Sequence, residues 1–152
     1  MVSEMETILI GFIGGVIGGI IVNIVSYKFQ KREEKKEEEI KYRTDYKRSL
    51  KEKLSEIIES WNRELAQDPL NKIRIQKEFS NYANQLTSII ARAPDDFSED
   101  VIEEIRKLVI KLEELPSLFA IYYDCEYGNL EHVYRECYKM QKRAKNIRKK
   151  IE

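Results

Sequence analysis

The chain has 152 residues, with 27 Lys and Arg against 27 Asp and Glu, a formal net charge of +0, and 36% charged residues. Net neutrality leaves no global field to draw the molecule onto nucleic acid, and two cysteines, Cys125 and Cys137, fit reduced cytosolic thiols better than a disulfide framework. Five of the six glycines lie before residue 20, so the remainder, about one domain's worth, has only Gly128 and three prolines to punctuate it, which argues for helices and against sheets or phosphate-cradling loops.

In chain order, residues 1–6 read as a short extracytoplasmic N-terminus and residues 7–27 as a transmembrane helix. Its heart, Ile8 to Val25, is ILIGFIGGVIGGIIVNIV, uncharged and long enough to cross the hydrocarbon of a bilayer. About a dozen Ile, Leu, Val and Phe side chains at roughly −0.3 to −0.6 kcal/mol each give about −4 to −7 kcal/mol for insertion, more than Asn23 offsets. Thr7, Gly11, Gly15, Gly19 and Asn23 recur every fourth residue on one ridge, with Gly14 and Gly18 beside it. Such a ridge lets two backbones approach by small-xxx-small packing, and Asn23 adds a hydrogen bond worth about 0.6–2 kcal/mol. The plainer reading is that glycine is common in membrane spans. Glu4 and Glu6 before the span, and no small-x-small cleavage site after it, argue for a retained anchor over a signal peptide. Lys28, Lys31 and Arg32 set the topology by the positive-inside rule, with the N-terminus outside and the C-terminal part in the cytoplasm at the cell membrane. GxxGGxxGG is no phosphate loop, because no strand precedes it and no Gly-Lys-Ser/Thr follows.

Residues 28–41 form a charged stalk, whose run from Lys28 to Glu39, with Phe29 its only apolar side chain, reads as a solvated helix of about a dozen residues spanning roughly 18 Å. Residues 42–152 then carry amphipathic patterns of helical period. Tyr42, Tyr46, Leu50, Leu54, Ile57, Trp61 and Leu65 make one stripe, so the stalk helix is expected to run to about Ala66. Asp68 is expected to cap a second helix with Pro69 at its first position, and Ile75, Phe79, Tyr82, Leu86, Ile89 and Ala93 form its face. After a turn at 93–96, Ser98 reads as an N-cap, Phe97 and Ile102 as a hydrophobic staple, and Val101, Ile105, Leu108, Leu112 and Leu115 as a third stripe. Pro116 ends that helix or starts its successor. The segment 118–127 is aromatic and helical, Gly128 with Asn129 is a break or kink, and Leu130, Val133, Cys137, Met140, Ala144, Ile147 and Ile151 make the last stripe. The expected fold is therefore all-α: one N-terminal transmembrane helix continuing through a charged stalk into a small antiparallel cytoplasmic bundle of three to four helices.

No constellation names a reaction. His132 is the single histidine, and though Glu136 shares its face, there is no second His, no CxxC and no Glu-x-x-His pair. Cys137 lies on an apolar stripe and reads as a small buried hydrophobe. Asp95 with Asp96 and Glu103 with Glu104 are explained by capping and a solvated helix face. No catalytic, cofactor or metal role is assigned, and the chain is read as not an enzyme. The basic tail, Lys139, Lys142, Arg143, Lys145, Arg148, Lys149 and Lys150, leaves three uses open: dipole-compensating, solubilising cations, attraction to anionic headgroups or acidic protein, and phosphate contacts to nucleic acid, the last disfavoured by net neutrality. Phe119, Tyr122, Tyr123, Tyr127, Tyr134 and Tyr138 are too many for one narrow stripe and serve bundle packing or an interface. The expectation is a membrane-anchored interaction or scaffold protein that forms a homo-oligomer through Gly11, Gly15, Gly19 and Asn23 and recruits a cytoplasmic protein. A holin-like pore or lesion former is the alternative, and a membrane-tethered binder of nucleic acid or anionic lipid through the tail stands third.

Overall fold

Residues 4–123 and 129–151 are described by the computed structural model, Thr7 by its backbone alone. Expectations for Cys125, Tyr127, Gly128 and Glu152 lie outside the described residues, as does the side chain of Thr7. The longest element, α1, is a helix over Glu4–Leu65. The chain divides into two units, Met1–Arg43 and Thr44–Glu152, and α1 contributes to both.

The first unit is helix throughout its described part, and its side chains are exposed. It contains an 18-residue window of mean hydropathy 2.5, none of it buried. One helix near the N-terminus is therefore long and apolar enough to cross a membrane. Its charged continuation is helical as expected from Lys, Glu and Arg, which lose little side-chain freedom in a helix.

The second unit packs the C-terminal part of α1 with α2 (Lys72–Ile90), α3 (Glu99–Glu113), the short α4 (Leu115–Tyr122) and α5 (Leu130–Lys150); no strand occurs among the described residues. Contacts between α1 and α2 run from Ser60 against Glu78 to Glu64 against Arg74, so these helices are antiparallel. Asn62 meets Gln141 at 2.6 Å while Gln67 meets Tyr134, which makes α5 antiparallel to α1 as well. α3 lies against α2, α4 and α5.

The stripes read from sequence become the core. Leu50, Leu54, Ile57 and Trp61 of α1 are fully buried with Ile75, Phe79 and Leu86 of α2, Ile105 and Leu108 of α3, and Val133, Cys137 and Ala144 of α5. Trp61 stacks on Phe79 with centroids 3.8 Å apart. Tyr42 departs from its stripe and is exposed, and it belongs to the first unit. Leu130 is also exposed, so the last stripe starts at Val133.

One helix start differs from expectation. α2 begins at Lys72, not at Pro69, and its cap is Asn71, whose side chain accepts from the Arg74 N–H at 3.0 Å. Asp68 and Pro69 sit instead in the connection, where the Tyr134 hydroxyl donates to the Gln67 carbonyl and the Tyr123 hydroxyl to the Leu70 carbonyl, both at 3.0 Å. Leu70 is buried beneath them, so tertiary packing decides the start of α2 over local capping chemistry. Ser98 does stand at the N-cap of α3, but makes no side-chain cap hydrogen bond. Phe97 lies edge-on to Tyr46, with centroids 5.0 Å apart. Pro116 occupies the first turn of α4 rather than ending α3, where its missing N–H costs nothing.

Candidate functional site

At 3.6 residues per turn, Gly11, Gly14, Gly15, Gly18 and Gly19 fall within an arc of about 140° on α1, with Asn23 just beyond one edge. Val16, the least exposed of the large apolar side chains between Ile8 and Val25, is still 47% exposed. None of these glycines has a positive φ, and a Cβ built at any of them meets nothing within 4 Å. Neither backbone conformation nor packing inside this chain requires glycine there. Lys28, Lys31 and Arg32 follow on the same helix, all exposed, with the Lys31 ammonium 5.9 Å from the Tyr27 ring centroid.

The basic residues of α5 do not form a single patch. Lys139, Lys142, Arg143, Lys149 and Lys150 line a groove of about 570 Å³ against α3, together with Lys111, Glu104, Glu136, Met140 and Asn146. Arg148 lines a separate groove of about 680 Å³ against the 44–59 part of α1, and Lys145 lines neither. Lys139 donates to Glu136 at 2.6 Å, which, aided by that cation's charge against the opposing effect of burial, holds the Glu136 carboxyl below its ordinary value. Lys139 with Lys142 and Arg143, and Lys145 with Lys142, Arg148 and Lys149, are like-charge neighbours at helical i,i+3 or i,i+4 spacing, each unfavourable by about 0.2–0.5 kcal/mol.

A polar network between α1 and α2 was not legible as apolar periodicity. Glu64 is fully buried and faces Arg74, whose Nη2 donates to Oε2 at 3.0 Å. Arg74 Nε lies 2.8 Å from Oε1, close enough for an ion pair though not aligned as a hydrogen bond. Beside it, Glu78 Oε1 accepts from Ser60 Oγ at 2.7 Å and from Arg63 Nη2 at 2.6 Å, with the Tyr82 hydroxyl at 3.3 Å. Burial works to raise the Glu78 carboxyl, but the hydrogen bonds from Ser60 and Arg63, the Arg63 charge and the Tyr82 hydroxyl outweigh it and leave it below its ordinary value. The signal for this network was present in sequence as Ser60 and Glu64, one turn apart and flanking Trp61.

Most of the aromatic residues near α4 and α5 are structural. Phe119 is buried, Tyr123 and Tyr134 tie down the α1–α2 connection, and Tyr122 lies against the His132 ring with centroids 4.3 Å apart. Arg135 Nη2 stands 3.1 Å from His132 Nδ1. Tyr138 is 53% exposed. Burial pushes the Cys137 thiol up to about 12, which makes it a poor nucleophile at neutral pH. No group of three His, Cys, Asp or Glu side chains gathers as metal ligands among the described residues. No family model matches the chain, and comparison with curated proteins and with solved structures returns no match.

Proposed function

We propose that this chain is a single-pass membrane protein of the cell membrane that self-associates through Gly11, Gly15, Gly19 and Asn23 and presents its helical unit to a cytoplasmic protein partner. The observation that carries the reading is the glycine face. Each glycine in a helix interior costs about 1 kcal/mol relative to Ala, and the five here serve no positive φ and no close approach within the chain. A second helix lying in that face would put the missing side chains to use, since lipid-embedded helices associate by close backbone packing. The uncovered apolar side chains from Ile8 to Val25 support the membrane setting, because a patch of that size exposed to water is an aggregation hazard. Lys28, Lys31 and Arg32 support an outside N-terminus.

The test is the oligomeric state of the full chain in lipid nanodiscs or mild detergent, with and without Gly15→Leu and Gly19→Leu together. Because nothing in the chain stands within 4 Å of either added Cβ, the double variant leaves the single chain undisturbed. The wild type is expected to cross-link as an oligomer and the variant to run as a monomer. Equal cross-linking of both removes the glycine face from the proposal.

A further inference from the structure

We propose that the groove between α3 and α5 is a binding site for a multiply phosphorylated anion. Six cations line it, Lys111 of α3 and Lys139, Lys142, Arg143, Lys149 and Lys150 of α5, against the carboxylates of Glu104 and Glu136. Both carboxylates already have cationic neighbours: Glu136 accepts from Lys139 at 2.6 Å, and Glu104 lies 3.7 Å from Lys107. Lys111 in turn is paired with Glu114 at 2.7 Å. Lys142, Arg143, Lys149 and Lys150 have no carboxylate partner among the described residues. Several cations elsewhere in this unit are matched locally, as in Asp45 with Arg48, Lys53 with Glu56, and Glu99 with Arg106. The groove thus gathers, beside two ion-paired lysines, four cations with no ion pair of their own among the described residues.

The helix dipole explains only part of this. Its negative end favours cations in the last turn, which accounts for Arg148, Lys149 and Lys150 but not for Lys142 and Arg143, about two turns earlier. What the two cation pairs share is spacing. Lys142 with Arg143 and Lys149 with Lys150 are seven residues apart, about 10 Å along the helix at 1.5 Å per residue, and they border the same groove. A ligand that satisfies both pairs needs at least two anionic groups spread over about that distance, as linked phosphates provide. Arg143 supplies the planar fork suited to a phosphate, and the lysines supply compact point charges. A volume of about 570 Å³ suits a short phosphate chain or a diphosphate headgroup rather than a length of duplex. The same chemistry is offered by an anionic diphosphate lipid and by a free polyphosphate. This inference is independent of span pairing and stands if the glycine variant fails to alter association.

The test uses the full chain in nonionic detergent, titrated calorimetrically with inorganic tripolyphosphate. Saturable binding with one site per chain is expected, weakened at least tenfold by Lys142→Gln with Lys149→Gln. Lys47→Gln with Lys51→Gln, in the other groove, should leave it unchanged, and circular dichroism checks that both variants keep their helicity. The source is distinguished in nanodiscs by the acetylation rate of Lys142 and Lys149 measured against Lys47. Protection in discs containing cardiolipin, without added polyphosphate, assigns the site to a lipid headgroup. Protection in phosphatidylcholine discs only after tripolyphosphate is added assigns it to a free anion. Absence of saturable binding together with absence of protection in either disc overturns the proposal, as does equal weakening by the two variant pairs.

Discussion

Glu64 is the residue on which the α1–α2 contact is most exposed to damage. Its carboxylate is fully buried and is held by two partly exposed cations, Arg74 at 2.8 Å and Arg63 at 3.3 Å, so one desolvated charge depends on both. Arg74→Met leaves that charge to the longer Arg63 contact alone and is expected to destabilise the unit by about 3 kcal/mol, the low end for breaking a buried pair because Arg63 remains. Replacing both, Glu64→Leu with Arg74→Leu, should restore stability to about the wild-type level, since no buried charge remains. Urea titration of the full chain in detergent, followed by far-UV circular dichroism, checks both; a double variant as unstable as the single one would refute the desolvation argument. Glu78 gives a pH dependence. Its folded carboxyl lies below the ordinary value of 4.5, so the unfolded chain takes up the proton first on acidification. The stabilisation is fully present above pH 4.5 and is lost as pH falls through the lower folded value. Glu78→Gln is therefore expected to flatten the acid limb of a stability–pH curve, and a limb unchanged by the substitution would show that Glu78 does not drive it. None of this follows from periodicity, because a carboxylate flanking an apolar stripe reads as solvated until the facing helix is known to carry Arg74.

Helix ends separate local from tertiary control. Asn71 and Asn129 each cap with a side-chain oxygen, accepting from Arg74 N–H at 3.0 Å and from His132 N–H at 3.1 Å. Asn71→Ala and Asn129→Ala are each expected to cost about 1 kcal/mol. Ser98, the cap most evident in the sequence, makes no such bond and Ser98→Ala should change stability by less than about 0.5 kcal/mol. Thermal unfolding of the three variants under one condition decides the ranking, and a Ser98 effect as large as that of Asn71 would contradict it. Asp68-Pro69 followed by a helical pattern is a good local N-terminus, yet α2 starts at Lys72. Leu70 is instead drawn into the core, and two distant tyrosines take up the carbonyls of Gln67 and Leu70. The stripes themselves were readable over four segments, since a face that recurs every three or four residues can bury itself only on a neighbour.

At the scale of the whole molecule, a chain with net charge +0 carries its functional information in the separation of its residues along the sequence. The apolar side chains of the first unit are uncovered, while most of those of the second are gathered into a core. The full chain is therefore expected in the membrane fraction after high-speed sedimentation, resistant to alkaline carbonate and released by detergent. Recovery in the supernatant without detergent would end the membrane reading. The basic tail shows what one-dimensional order conceals: seven cations that run together in sequence are dealt by the helical turn to two grooves and an open face.

The amino-acid sequence alone determined the all-helical class, the apolar N-terminal helix and the stripes that become the core, because backbone period and side-chain hydrophobicity are local properties. Only the tertiary structure decided that Lys111 joins the α5 cations in one groove, that Glu64 is buried against Arg74, and that α2 starts at Lys72. Each of those depends on which helix faces which, and facing is set by the packing of distant segments rather than by any residue's neighbours in the chain.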